Sequence, residues 1–190
     1  MNLKELIQPE TERLQLRQWI ESDLDAFAVM SADPRVMAFF PDTLNRKQSN
    51  SIAIKCRTLL AERGWGVWAV ELKQTRQFIG MVGLHTPSAN LPFSPCVEVL
   101  WRLAPSYWGQ GYATEAAKAA LQVGFDVLAV DEIVSFAVLD NVRSRAVMER
   151  LNMVNSGETF MHPDVPEDSH LREHCVYKLS RDQWKSRNQI

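Results

Sequence analysis

The chain has 190 residues, of which 46% are hydrophobic and 23% charged, and its net charge is -2. These values fit one soluble domain, residues 1–190 with a core from about 11 to 179, and give no reason to expect a nucleic-acid or membrane partner. No apolar stretch is long enough to cross a bilayer, and Met1-Asn2-Leu3-Lys4-Glu5 is not a signal peptide. The three cysteines, Cys56, Cys96 and Cys175, are odd in number and far apart. They argue against a disulfide framework and a zinc site, and for the reducing cytoplasm.

Between Thr11 and Trp19, Leu14 and Leu16 alternate with polar residues, which predicts a first strand. Glu21-Ser22-Asp23 opens a helix that Asp33-Pro34 stops. Val36 to Pro41 is a compact apolar piece, read as core filling or as one wall of an acceptor pocket. A second helix spans about Arg46 to Arg63 and ends at Gly64. Gly66 to Leu72 and Gln77 to Leu84 flank a polar turn and predict an antiparallel hairpin. His85 ends that hairpin, where a lone His is more often structural than catalytic. A proline-rich loop leads to a strand from Cys96 to Ala104.

Next comes Ser106-Tyr107-Trp108-Gly109-Gln110-Gly111-Tyr112-Ala113-Thr114-Glu115, followed by small and apolar residues at helical spacing as far as Leu128. Strand, glycine turn and amphipathic helix in that order suit a phosphate. The glycines let the backbone approach a ligand, and the first helical amides have no partner within the helix. An ordinary tight turn fits the glycines equally well. A strand from Glu132 to Leu139, a helix to Leu151, and strands Val154 to Met161 and Arg172 to Leu179 complete the chain. The tail from Ser180 is polar and reads as a short helix or a frayed end.

The order is β-α-α-β-β-β-α-β-α-β-β, an α/β mixed sheet with helices on its faces. A dinucleotide-binding protein is one alternative, since Gly109-x-Gly111-x-x-Thr114 lies between strand and helix and Asp140 ends the next strand. Thr in the third small position, the late acidic residue and the upstream hairpin oppose it.

Tyr107-Trp108-Gly109-Gln110-Gly111-Tyr112-Ala113-Thr114-Glu115-Ala116 resembles the acetyl-coenzyme A loop of the GNAT N-acetyltransferases, particularly the ribosomal-protein (Rim-type) branch. The family pattern is Arg/Gln-x-x-Gly-x-Gly/Ala, and Trp108, Gly111 and Ala113 occupy its marked places. Trp108 departs from Arg/Gln, as is common in that branch. A second stretch, Asn141-x-x-Ser144 through Glu149-Arg150-Leu151-Asn152-Met153, resembles the family's following helix.

The resemblance implies the GNAT acyl-CoA N-acyltransferase fold and transfer of acetyl from acetyl-CoA to a primary amine. The acceptor would be a protein N-terminus or a small amine, and the protein a monomer or homodimer that needs no metal. A CoA-binding sensor or scaffold without chemistry is the other reading. Amides of Gly109, Gln110, Gly111, Tyr112, Ala113 and Thr114 would hold the pyrophosphate. Backbone of Arg102, Leu103 and Ala104 would pair with the pantetheine arm, with Asn141 bonding it from the other side. Asn141 is equally an N-cap.

For this chemistry a proton must leave the amine, an oxyanion needs an amide donor, and a thiolate must depart. The N–H of Arg102 or Leu103 is the candidate donor. Glu98, on the strand before the loop among Val97, Val99 and Leu100, is the candidate base, or else half of a salt bridge. Many relatives carry a Tyr seven residues after the Asn as acid. Met148 stands there and cannot donate, and the Rim-type branch often has a Ser at the position of Ser144, so the resemblance implies Ser144, also a cofactor contact, as the candidate acid. Tyr107 and Tyr112 suit packing or cofactor contact. His170, His174 and Tyr177 are read as structural or as acceptor lining.

Overall fold

The computed structural model of the chain describes residues 5–187. Seven strands form one sheet: β1 (Leu14–Arg17), β2 (Val67–Leu72), β3 (Gln77–His85), β4 (Glu98–Leu103), β5 (Glu132–Val138), β6 (Val154–Met161) and β7 (Glu173–Ser180). Their spatial order is β1-β2-β3-β4-β5-β7-β6, with β4–β5 the parallel pair and the other neighbours antiparallel. The helices are α1 (Asp23–Ser31), α2 (Arg46–Arg63), α3 (Tyr112–Gln122), α4 (Val142–Arg150) and α5 (Arg181–Arg187). The predicted order of strands and helices is therefore the observed one. The antiparallel hairpin feeding β4 rules out the doubly wound sheet that the dinucleotide-binding alternative needs.

Local chemistry explains the boundaries. At the start of α2, the Asn45 side chain accepts from the Gln48 N–H while the Gln48 side chain accepts from the Asn45 N–H, a reciprocal cap. Gly64 ends the helix at φ +79, a conformation glycine takes without steric cost. The helical spacing read as far as Leu128 does not continue as one α-helix. Val123–Val127 widens into a π turn, with the Leu128 N–H donating to the Val123 carbonyl.

Strand parity divides the sheet into two faces. Ala116, Ala117, Ala120 and Leu121 of α3 are fully buried, and the small alanines let this helix lie close to β3 and β4. α4 covers the same face, where Tyr177 of β7 donates to Glu149 at 3.1 Å. The opposite face carries the side chains of Glu98, Leu100 and Arg102 from β4, with α2 and the Phe40 segment over it. Met37 is buried while Phe40 is exposed, so the Val36–Pro41 piece fills the core at one residue and leaves the other at the surface. Among the described residues no helix is long and apolar enough to cross a membrane.

Candidate functional site

The parallel strands β4 and β5 meet at a single residue pair, Glu98 opposite Val134, beside the Val134 N–H bond to the Val97 carbonyl at 2.9 Å. Beyond Glu98 the two strands have no register, and they part toward their C-terminal ends. β4 stays fully paired to β3 on its other edge, from His85 opposite Glu98 to Gly80 opposite Leu103. The two backbones run so close there that a Cβ on Gly80 would lie 2.3 Å from the Arg102 carbonyl oxygen.

Backbone direction alternates along β4. The Ala104 N–H donates to the Ile79 carbonyl at 3.0 Å, so Ala104, and by alternation Arg102, face β3. This corrects the expectation that Arg102 and Ala104 offer their amides to a ligand lying between β4 and β5. Leu103 faces the gap. Its carbonyl accepts from the Trp108 indole at 2.8 Å, which leaves its N–H as the donor there. Trp101, which sequence reasoning did not name, faces the same way.

At the mouth of the gap the chain bends through the short helix Pro105–Tyr107 into the glycine turn. Gly109 (φ +73) and Gly111 (φ +82) both have left-handed backbones. A Cβ on Gly109 would meet nothing within 4 Å, so the dihedral and not space demands glycine there. The turn leaves the N–H groups of Gly109, Gln110, Gly111, Tyr112, Ala113 and Thr114 without a partner among the described residues, since the first backbone bond of α3 runs from Glu115 to Gly111. Six consecutive free amides at a helix N-terminus make a cradle for an anion.

One network missed by sequence reasoning fixes this turn. Glu115 accepts from the Thr11 hydroxyl at 2.6 Å and from the Arg13 backbone N–H at 3.0 Å, and it pairs with the Arg13 guanidinium at 2.6 Å. Arg13 also donates to the Gln110 carbonyl and lies over the Tyr112 ring at 4.3 Å. Burial raises the Glu115 carboxyl, but the hydrogen bonds from Thr11 and Arg13 outweigh it and hold it below its usual value. Glu115→Gln is expected to cost about 1–3 kcal/mol, read by urea denaturation at pH 7, because charge-assisted bonds to Arg13 are lost. The difference should shrink as pH falls through the carboxylate range, where wild-type Glu115 is itself protonated.

Across the gap, Asn141 caps α4: its Oδ1 accepts from the Ser144 N–H at 3.1 Å. Its amide nitrogen keeps no partner among the described residues, so capping and ligand contact are compatible. The Ser144 hydroxyl, half-buried in the first turn of α4, is likewise unpaired. Met148, where many relatives have Tyr, is fully buried. Trp108, in the position of the family's Arg/Gln, lies under the Arg143 guanidinium at 4.6 Å. Tyr107 and Tyr112 pack edge to face at 6.3 Å.

Glu98 sits at the apex of the gap. No described residue pairs with its carboxylate, so the salt-bridge reading does not hold. Burial among apolar groups pushes its carboxyl up to about 8. On the same face, Phe93, Phe136 and Phe160 pack with His162 and His174, whose rings lie 5.1 Å apart. Burial lowers both imidazoles. His170, His174 and Tyr177 are not one cluster: His170 is exposed, and His174 and Tyr177 point to opposite faces of β7. Among the described residues no group of three His, Cys, Asp or Glu side chains is placed to hold a metal.

A mixed sheet opened at one parallel pair, with an amide cradle at the opening, defines an acyl-group transferase fold. The family model for the GNAT acetyltransferase domain matches residues 13–154, and the chain belongs to that family. It is 24% identical over 175 residues to the uncharacterized N-acetyltransferase YnaD of Bacillus subtilis, covering 92% of this chain and 97% of YnaD. It is 27% identical over 164 residues to the FsC-acetyl coenzyme A-N(2)-transacetylase of Aspergillus fumigatus, covering 82% of this chain and 68% of that protein. Among solved structures, a GNAT-family acetyltransferase from Bacillus anthracis superposes with TM-score 0.77 at 23% identity, covering 93% of this chain and 99% of the other. A ribosomal-protein-S5-alanine acetyltransferase from Vibrio fischeri gives TM-score 0.73 at 18% identity, covering 94% and 98%. These last two share the fold. The protein is an acetyltransferase.

Proposed function

We propose that the protein moves the acetyl group of acetyl-CoA onto a primary amine, of a protein N-terminus or of a small molecule. The observation that carries this reading is the run of six unpaired amides, Gly109 to Thr114, opening onto a gap whose apex holds an unpaired carboxyl, Glu98. The name of the Aspergillus relative, an acetyl coenzyme A transacetylase acting at nitrogen, supports the same chemistry.

The amides of residues 109–114 hold a pyrophosphate, where the α3 dipole adds to their attraction. The Leu103 N–H and the Asn141 side-chain amide orient the pantetheine arm from opposite sides of the gap. When bound, acetyl-CoA supplies an acyl group activated as a thioester. Glu98, ionised as pH rises past about 8, takes a proton from the attacking amine directly or through one water. The Ser144 hydroxyl donates toward the departing sulfur. A protein that only bound coenzyme A would have no use for a half-buried carboxyl left unpaired at the apex.

Purified protein with acetyl-CoA and a panel of amines should release free thiol in proportion to acetylated amine. Thiol release that no amine stimulates would remove the transferase reading. Ser144→Ala is expected to lower kcat roughly ten-fold, below the 10²–10⁴ typical of a general acid, because a thiol near pKa 8.5 leaves fairly well unaided. An unchanged kcat would take Ser144 out of the chemistry.

A further inference from the structure

β4 carries a second charged side chain on the face of Glu98. Arg102 lies four residues on, opposite Met81 of β3, and turns toward the Phe40 segment and α2. Its guanidinium carbon sits 4.4 Å above the Phe40 ring centroid. Its Nε and Nη1 are fully shielded from solvent and find no hydrogen-bond partner among the described residues. Among the described residues no carboxylate faces it. The neighbour with an ionisable group is Cys56, and burial pushes that thiol up to about 11, so it stays neutral. The Phe40 ring offsets part of the cost of a shielded cation but accepts nothing from its N–H groups.

Donors shielded from water are shielded from a ligand as well, so a partner enters at Nη2, the terminal nitrogen that is not shielded, and takes the neighbouring Nε–H or Nη1–H with it. The planar fork of the guanidinium matches a carboxylate, which can take two of its N–H groups in parallel. The surroundings favour an anion further. Lys55 and Arg63 of α2 lie close enough to His85 for their charges to disfavour its protonation, after burial itself has done so. Burial likewise lowers the Arg102 guanidinium to about 10, the state of a cation without its counterion.

We infer that Arg102 is the anchor for a carboxylate carried by the amine acceptor, so that this face of β4 binds the acceptor by its acid end and presents its amine at Glu98. The inference rests on the transferase reading above. Four residue steps along the strand separate the two side chains, about 13 Å. A free α-amino acid, whose two groups are adjacent, does not span that distance. A short peptide does, at roughly 3.5 Å per residue. Phe40 has the role of holding the guanidinium in place, which accounts for a large aromatic left at the surface.

The test uses triglycine and tetraglycine, each as the free carboxylate and as the C-terminal amide. Dissociation constants are measured by NMR titration of the full chain with CoA present. Wild type should bind the carboxylate form about ten-fold or more tighter than the amide, as a charge-assisted pair predicts. In Arg102→Gln that ratio should fall below about three, and in Arg102→Lys, which keeps charge but loses the fork, it should lie between. Melting curves establish that each variant is folded. If Arg102→Gln does not fold, the wild-type ratio and Arg102→Lys still decide the matter.

A wild-type ratio near one, or a ratio that Arg102→Lys and Arg102→Gln leave unchanged, overturns the assignment. So does a loss of CoA affinity in the variants with the peptide ratio intact, because the anion would then belong to the cofactor. Acetyl-CoA binding and thiol release on the same samples separate the two readings. Their failure removes the transferase proposal, whereas a flat peptide ratio with both intact removes only the carboxylate anchor.

Discussion

Glu98→Gln lowers kcat by about 10²- to 10⁴-fold, the usual worth of a positioned general base, and leaves acetyl-CoA affinity within about three-fold of wild type. Gln keeps the shape and the polar end of the side chain but cannot take a proton. In wild type, kcat/KM for the amine should climb as pH rises through about 8, because the base must be ionised to act. In the variant that step disappears.

Stability gives an independent readout of the same carboxyl. Its folded pKa is raised by burial from 4.5 to about 8, so between those values the folded protein keeps a proton that the unfolded chain releases. The folded state then loses stability as pH rises through this window. The melting temperature of wild type should fall over that range, and Glu98→Gln should flatten the slope and melt higher near pH 8. A flattened slope with unchanged kcat would leave Glu98 a half-buried acid without a catalytic part.

Gly111→Val raises the dissociation constant of acetyl-CoA by about 10- to 100-fold, measured by calorimetry, with a smaller effect on the melting temperature. Gly111 holds φ +82 as the residue before α3, and a β-branched residue is a steric outlier there. A Cβ at this place would also meet Arg13 Nη2 at 3.4 Å, the group that pairs with Glu115. The turn must therefore change its backbone, and with it the positions of the six free amides. Unchanged affinity would mean that the amides of residues 109–114 do not hold the cofactor. Gly109→Val is the useful companion, since a side chain there meets no neighbour and only the dihedral is strained.

Much of this architecture was legible in the chain. Period-2 and period-3.6 patterns, with Gly64 and Asp33-Pro34 as punctuation, place every strand and helix in the right order. Leu14 and Leu16 alternate because one face of β1 is dry, and Ala116, Ala117 and Ala120 recur because α3 must sit close to the sheet. The glycine turn and the unpaired state of its amides follow from the helix that begins after it. The parting of β4 from β5 and its apex at Glu98 came from the fold.

What the chain could not give are facts of partnership across long separations. Arg13 and Thr11 lie about a hundred positions from Glu115, and no periodicity links them, yet they clamp the turn. Arg102 was read for its backbone, which faces β3, while its side chain carries unsatisfied donors on the face of β4 that Glu98 shares. His174 gained His162 and three phenylalanines as neighbours and lost the expected company of His170 and Tyr177. By itself the sequence determined the elements, their order and the chemistry of the turn, because these depend on residues a few positions apart. Only the tertiary structure decided which charges are left unpaired, because that depends on what every other strand and helix brings within hydrogen-bond reach.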